Sequence, residues 1–246
     1  MKQLVFTFFI FGLLLISNTS SADEPEVLNE YFGPGGIKDK YSAYYGEMLE
    51  YYVEKPTLGE NLPADVSVTY RKLSQTENRA VYAVLLSDGK QSQDWYVFLI
   101  KDKSNWKIEA IRGLALPGLF FLFLEELEKK TSRTQEEEWT YQNMLLTSKS
   151  DKYLKVFFRD NLNKFKEILK FFTTGDKERS KKTAKKLFLN SVYKDGGVIN
   201  FNIGGMIDNS VGFLYVPVDK SPPSMSPKDF IYIEQITDGW YIYKTT

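Results

Sequence analysis

The side chains able to do chemistry in this chain are aspartate, glutamate, lysine, arginine, tyrosine, serine and threonine, because it contains no histidine and no cysteine. Without histidine there is no Ser-His-Asp triad, no imidazole acid–base catalyst and no imidazole metal site. Without cysteine there is no thiolate zinc, iron–sulfur cluster, haem attachment or thiol redox chemistry. A calcium loop needs alternating Asp or Asn oxygens followed by a glutamate, and neither Asp208-Asn209 nor Asp102 to Asn105 supplies that spacing. Gly204-Gly205 lacks the third glycine and the following helix of a dinucleotide site. Gly33-Pro34-Gly35-Gly36 lacks the preceding strand and the Lys-Ser/Thr of a phosphate loop. What remains is a carboxylate base in an apolar pocket, or paired carboxylates on a glycosidic bond. No spacing in the chain brings such groups together, so no catalytic residue, cofactor or metal is assigned.

Binding residues are easier to nominate. Tyr41, Tyr44, Tyr45, Met48, Leu49 and Tyr52 recur at helical spacing over residues 37–53. Such a stripe is either core or a pocket wall. Arg71 and Arg112 fall on or at the end of strands, where they either reach into a cleft or serve as ordinary strand-end charges. With Trp95 they complete the candidate ligand-binding set of Tyr41, Tyr45, Arg71, Trp95 and Arg112, for a small hydrophobic ligand. Lysine plus arginine and aspartate plus glutamate balance at 32 each, which gives no reason to expect nucleic acid as a partner. Residues 176–186 are locally basic, with six cations against two anions. They read as a solvated helix face balanced by the acidic 125–138 region, or as a contact for an anionic surface.

The elements that must position these groups centre on residues 81–112. An apolar run at 81–86 is followed by Asp88-Gly89, which suits a hairpin turn. A second run rich in aromatic and β-branched residues occupies 95–100. After a polar break at 103–105, residues 106–111 alternate: Trp106, Ile108 and Ala110 are expected on one face, Lys107 and Glu109 on the other. An antiparallel sheet with one buried and one partly wet face follows. An earlier strand at 66–73 leads into it. The plan recurs at 211–246. VGFLYVPVDK (211–220) aligns without gaps on VYAVLLSDGK (81–90), Asp229-Phe230 on Asp94-Trp95, Trp240-Tyr241-Ile242 on Trp106-Lys107-Ile108, and the strand at 198–203 on that at 66–70. This is either an internal duplication or the common appearance of two β-meanders.

Between the meanders the chain is helical. Pro117 opens a helix whose residues 119–124 are apolar on every side and are expected to be buried all round. Thr134 and Glu137 have capping-box spacing for a helix over 135–148. One long helix is expected over 151–172, striped by Phe158, Leu162, Phe165, Ile168, Leu169 and Phe172, with Gly175 at its end.

Residues 1–22 have the pattern of a signal peptide: Lys2, an apolar core over 4–16, and Ser20 and Ala22 at the cleavage-determining positions. The core is short for a membrane anchor, so cleavage after Ala22 is expected, with no stable span left. Removal leaves 224 residues with net charge −1. The lack of cysteine and of a glycosylation acceptor beyond residue 22 favours a bacterial protein that is periplasmic or secreted.

A helix packed on a curved four-stranded meander whose last strand reads Trp106-Lys107-Ile108, after the aromatic strand 95–100 and the turn 103–105, resembles the NTF2-like superfamily of cystatin-like cones. The resemblance is better in the first half; the Pro222-Pro223 loop departs from it in the second. It implies a cone-shaped cavity between helix and sheet, and dimers. Its catalytic members use residue arrangements absent here. The expected fold is therefore α+β, helices packed on curved antiparallel four-stranded sheets, two such units in tandem over 23–114 and 115–246. The expected role is a non-catalytic exported binding or scaffolding protein with an aromatic cavity or sheet face. The alternative is a small-molecule enzyme, of isomerase or dehydratase class, using a carboxylate and a tyrosine. A third is a cell-surface protein working through the basic 177–186 segment.

Overall fold

A computed structural model describes residues 24–206 and 208–246; the expected signal peptide, residues 1–22, lies outside them. The fold is α+β with two antiparallel sheets. Strands β1 (Ser67–Gln75), β2 (Arg79–Ser87), β3 (Ser92–Asp102) and β4 (Asn105–Arg112) form a four-stranded meander in chain order. Strands β5 (Ser191–Asp195), β6 (Val198–Met206), β7 (Asn209–Tyr215), β8 (Phe230–Thr237) and β9 (Trp240–Thr245) form a five-stranded sheet of order β5-β6-β7-β9-β8. In the first sheet the strand corresponding to β7 pairs with its next neighbour in sequence; in the second, β7 skips β8 and pairs with β9. The echo between the halves is thus one of strand pattern and not of strand order. The long connection between β7 and β8 carries Pro222 and Pro223, and lets β8 reach the far edge.

Both faces of the first sheet are covered, not one as the alternation predicts. Tyr82, Val84, Val97, Leu99 and Ile108 pack under the N-terminal helices α1 (Glu26–Phe32), α2 (Lys40–Ala43) and α3 (Glu47–Tyr51), which contribute Leu28, Phe32, Ala43 and Met48. Val81, Ala83, Tyr96, Phe98 and Ala110 face the opposite way into a core shared with the second sheet. A β-bulge explains how Ile108 and Ala110 come to lie on opposite faces. Leu99 pairs with Ile108 but Phe98 pairs with Ala110, so Glu109 is the extra residue and reverses the alternation after it.

The helices α4 (Gly118–Lys129), α5 (Gln135–Thr147), α6 (Asp151–Asp160), α7 (Leu162–Thr173) and α8 (Lys177–Lys185) link the sheets. Phe158 of α6 and Phe165 of α7 are buried against Phe213 and Trp240 of the second sheet, with ring centroids 4.7–6.0 Å apart. The expected capping box holds α5: Thr134 accepts from the Glu137 N–H, and the Glu137 side chain accepts from the Thr134 N–H.

Three helical expectations are corrected. The 37–53 helix is two short helices separated at Gly46, whose φ of 55° and ψ of −127° are a glycine conformation. The break lets the chain touch the sheet, where the Tyr45 N–H donates to the Ile108 carbonyl at 2.9 Å. The 151–172 helix divides at Asn161, whose side chain donates to the Phe157 carbonyl at 2.9 Å. Residues 119–124 are not buried all round. The helix α4 packs on α5 through Phe120 and Leu127 against Met144, and one neighbour covers only one stripe of a helix.

Candidate functional site

Two features stand out: a chain of charges between the sheets, buried at one end, and a pair of adjoining clefts above that end. The charges begin at Lys244 on β9. Its ammonium lies 2.8 Å from Asp151 Oδ1, at the start of α6, and 3.3 Å from Asp94 Oδ2, on β3. The side chains of Lys244, Asp94 and Asp151 are only 5, 9 and 4% exposed. Asp94 Oδ2 also accepts the Asp151 N–H at 2.8 Å, which satisfies a donor at the helix start. The Tyr96 hydroxyl donates to both Asp151 oxygens, at 2.8 and 3.0 Å, and its ring stacks on Tyr232 with centroids 4.8 Å apart. The Tyr232 hydroxyl donates to Glu234 at 2.7 Å. Glu234 in turn pairs with Arg71 at 2.7 Å and Lys155 at 3.1 Å.

The electrostatics follow from two carboxylates sharing one ammonium. Burial raises the Asp151 carboxyl above its ordinary range; Lys244 opposes the shift and the neighbouring charge of Asp94 adds to it. Burial pulls Lys244 down, but Asp151 and Asp94 outweigh it, so the ammonium is held more firmly than in water. Burial also raises Glu234, yet the Tyr232 hydrogen bond, Arg71 and Lys155 bring it below its ordinary value. The Tyr96 hydroxyl is pushed far up, first by burial and then by Asp151. Tyr96 and Asp151 are therefore the carboxylate–tyrosine pair that an enzyme of the alternative class would use, but both are buried and Asp151 is already engaged by Lys244.

Asp94 and Lys244 border an open cleft of about 770 Å³, walled by the β2–β3 turn, the 148–150 loop, Phe121 and Tyr153. A second open cleft of about 740 Å³ adjoins it along Gln93, Leu114, Leu116 and Phe121. Its aromatic walls are Tyr51, Tyr52, Trp95 and Phe121, and its polar groups include Glu47, Arg112 and Lys228. Arg112 is fixed there: Nη2 lies 2.7 Å from Glu47 Oε1, and Nε donates to the Pro227 carbonyl at 2.7 Å. The Trp95 ring lies against Gly113, where a Cβ would sit 3.4 Å from Cε3. The Trp95 indole nitrogen is buried and, among the described residues, has no hydrogen-bond acceptor. A buried donor left unpaired costs about 1–3 kcal/mol.

The five nominated residues do not form one site. Trp95 and Arg112 meet in the second cleft. Tyr41 is 68% exposed beside a smaller hollow with Ile37, Lys38 and Glu54. Tyr45 is exposed on the turn between α2 and α3. Arg71 belongs to the ion chain through Glu234. In the basic helix α8, Arg179 pairs with Asp176, and among the described residues no salt bridge joins its lysines to the acids of 125–138. Asp94, Asp151 and Lys244 escaped the sequence reading, although two carried a signal. Lys244 shares the strand parity of Trp240 and Ile242, and Asp94 that of Tyr96 and Phe98, all four of them core residues. A charge at a core parity announces a buried partner.

Among the described residues, no helix is long and apolar enough to cross a membrane, and no group of three or more acidic side chains could hold a metal ion. No protein-family profile matches the chain, and neither the curated proteins nor the solved structures contain a match.

Proposed function

We propose that the protein is a non-catalytic, exported binding protein that takes a small ligand in the cleft walled by Tyr51, Tyr52, Trp95 and Phe121. The observation that carries this reading is the open cleft of about 740 Å³ in which the rings of Tyr51, Tyr52, Trp95 and Phe121 surround Arg112. A ligand with a flat apolar body and a carboxylate oxygen would cover the rings and meet the Arg112 guanidinium. Arg112, held by Glu47 and Pro227, gives a fixed cation at the same cleft. The enzyme alternative is disfavoured because Tyr96 and Asp151 lie behind the cleft floor, tied into an ion network.

Export through residues 1–22, cleavage after Ala22 and residence in the periplasm or outside the cell belong to this proposal and rest on the sequence pattern. So does kinship of the first unit with the NTF2-like cones, supported by helices packed on a four-stranded meander. The pairing of β7 with β9 weighs against a second cone of the same topology.

The test is native mass spectrometry on protein purified gently from its own host. A reproducible extra mass of a few hundred daltons is expected, and Tyr51→Ala, which removes an exposed ring from the cleft wall, should lose most of it. A bare mass for the wild-type protein overturns the reading.

A further inference from the structure

The helix α4 carries an apolar flank that no other described residue covers. Leu119, Leu122 and Phe123 are 69, 60 and 45% exposed. With about 100° between successive helical residues, these three and Glu126 line one flank of α4. Phe120 and Leu127 face α5, and Phe121, which lines the clefts, lies on the other side. We propose that this flank is the interface of a two-fold dimer, in which α4 packs antiparallel against α4 of a second copy.

Three observations select a second copy as the occupant. The flank is self-complementary under a two-fold axis. Placing the axis between residues 122 and 123 sets Leu122 of each copy on Phe123 of the other, and Leu119 of each against the stem of the other's Glu126. The ends are complementary in charge as well. The first turn of α4 follows Pro117, contains no acidic residue and receives no side-chain cap. The antiparallel arrangement delivers a Glu126 carboxylate to that positive helix end in both copies. Glu126 makes no salt bridge to another described residue, while its neighbour Glu125 is paired with Lys129. Finally, residues 125–130 set three glutamates against Lys129 and Lys130, and Glu126 is the carboxylate among them that lies on the apolar flank itself. An anionic lipid surface would repel it, whereas a partner's helix N-terminus attracts it.

Three exposed apolar side chains per copy make a small interface, so the dimer should be weak and concentration-dependent, with half-dissociation on the order of 10–100 μM. Sedimentation equilibrium of protein expressed from the full-length sequence, from 1 μM to 1 mM, is the measurement. Wild type should pass from monomer to dimer across this range. Leu122→Asp, which places like charges about the two-fold axis, should stay monomeric throughout. Glu126→Gln removes two such contacts per dimer and should raise the dissociation constant roughly three- to thirtyfold, as expected for losing a charge at each of two helix ends. Leu122 is exposed, so the Leu122→Asp circular dichroism and urea midpoint should match wild type; if that variant does not fold, Phe123→Ser makes the same test. A wild-type monomer at every concentration overturns the proposal. So does a Leu122→Asp protein that dimerises normally, which places the interface elsewhere. Cosedimentation of monomer with phosphatidylcholine–phosphatidylglycerol vesicles would assign the flank to lipid instead. Ligand loss in Tyr51→Ala leaves this equilibrium unchanged, so the two proposals fail separately.

Discussion

Replacing Lys244 with methionine removes a cation and keeps most of its stem. The ammonium sits 2.8 Å from Asp151 and 3.3 Å from Asp94, with all three side chains under 10% exposed. Deleting one member of a buried ion pair costs about 3–5 kcal/mol, because the charge left behind is neither hydrated nor paired. Here Asp151 keeps the Tyr96 hydroxyl and Asp94 keeps the Asp151 N–H, which places the loss near the lower end, at about 3 kcal/mol. With a urea slope of roughly 2–3 kcal/mol per molar for a chain of this size, the unfolding midpoint should fall by about 1–1.5 M. Tryptophan fluorescence and far-ultraviolet circular dichroism would follow the transition. The deficit has a pH signature. Burial already raises Asp151, and in the variant no ammonium opposes its repulsion by Asp94. Protonation relieves that repulsion, so the gap from wild type should be widest at neutral pH and narrow as pH falls toward the acid range. The triple variant Asp94→Asn, Asp151→Asn, Lys244→Met carries no stranded charge and should recover at least half of the loss. A Lys244→Met midpoint within about 0.3 M of wild type, equivalent to less than ~1 kcal/mol, would refute the reasoning. A triple variant as unstable as the single one would refute it too.

At the alkaline end the same network sets a limit. Lys244 is raised above its ordinary 10.5, so its contribution is complete below that pH and is lost as pH rises through the higher folded value. The buried Tyr96 hydroxyl acts in the same direction, since it keeps its proton when folded and loses it near pH 10 when unfolded. Urea midpoints should therefore fall above about pH 10, less steeply in Lys244→Met; a midpoint flat to pH 11.5 contradicts the assignment. Gly46→Ala places a Cβ in open space but at φ 55°, ψ −127°, so its cost is backbone strain alone, about 1–3 kcal/mol. Amide exchange at Tyr45, whose N–H bonds Ile108, should quicken along with that loss, and unchanged exchange would place the strain elsewhere. Thr134→Ala opens the capping box of α5 and should cost about 1 kcal/mol in chemical denaturation, a loss that Thr134→Ser should largely restore.

How much of this was legible in the sequence depended on range. Thr134 and Glu137 are three residues apart, and the box they form was readable because its partners are local. The turn at Lys103 and Ser104, closed by the pairing of Asp102 with Asn105, was readable for the same reason. Local pattern misled where a distant element intervened. Residues 119–124 look like a core helix, yet Tyr141 and Met144 of α5 cover just one stripe of it. The tyrosine stripe of 37–53 looks like one helix face, yet Gly46 breaks it so that Tyr45 can bond to β4.

Residue type and short-range periodicity by themselves determined the exclusion of histidine and thiol chemistry, the α+β class, the two antiparallel strand sets and the capping box of α5, because each is settled within a few residues along the chain. Only the tertiary structure decided which strand lies beside which, which face Ala110 occupies after the Glu109 bulge, and that Asp94, Asp151 and Lys244 meet in one buried cluster. Asp94 and Lys244 stand 150 residues apart. Neither charge is explained by its own strand: packing of the two sheets takes both side chains out of water, and a buried charge is tolerated only with an opposite charge beside it.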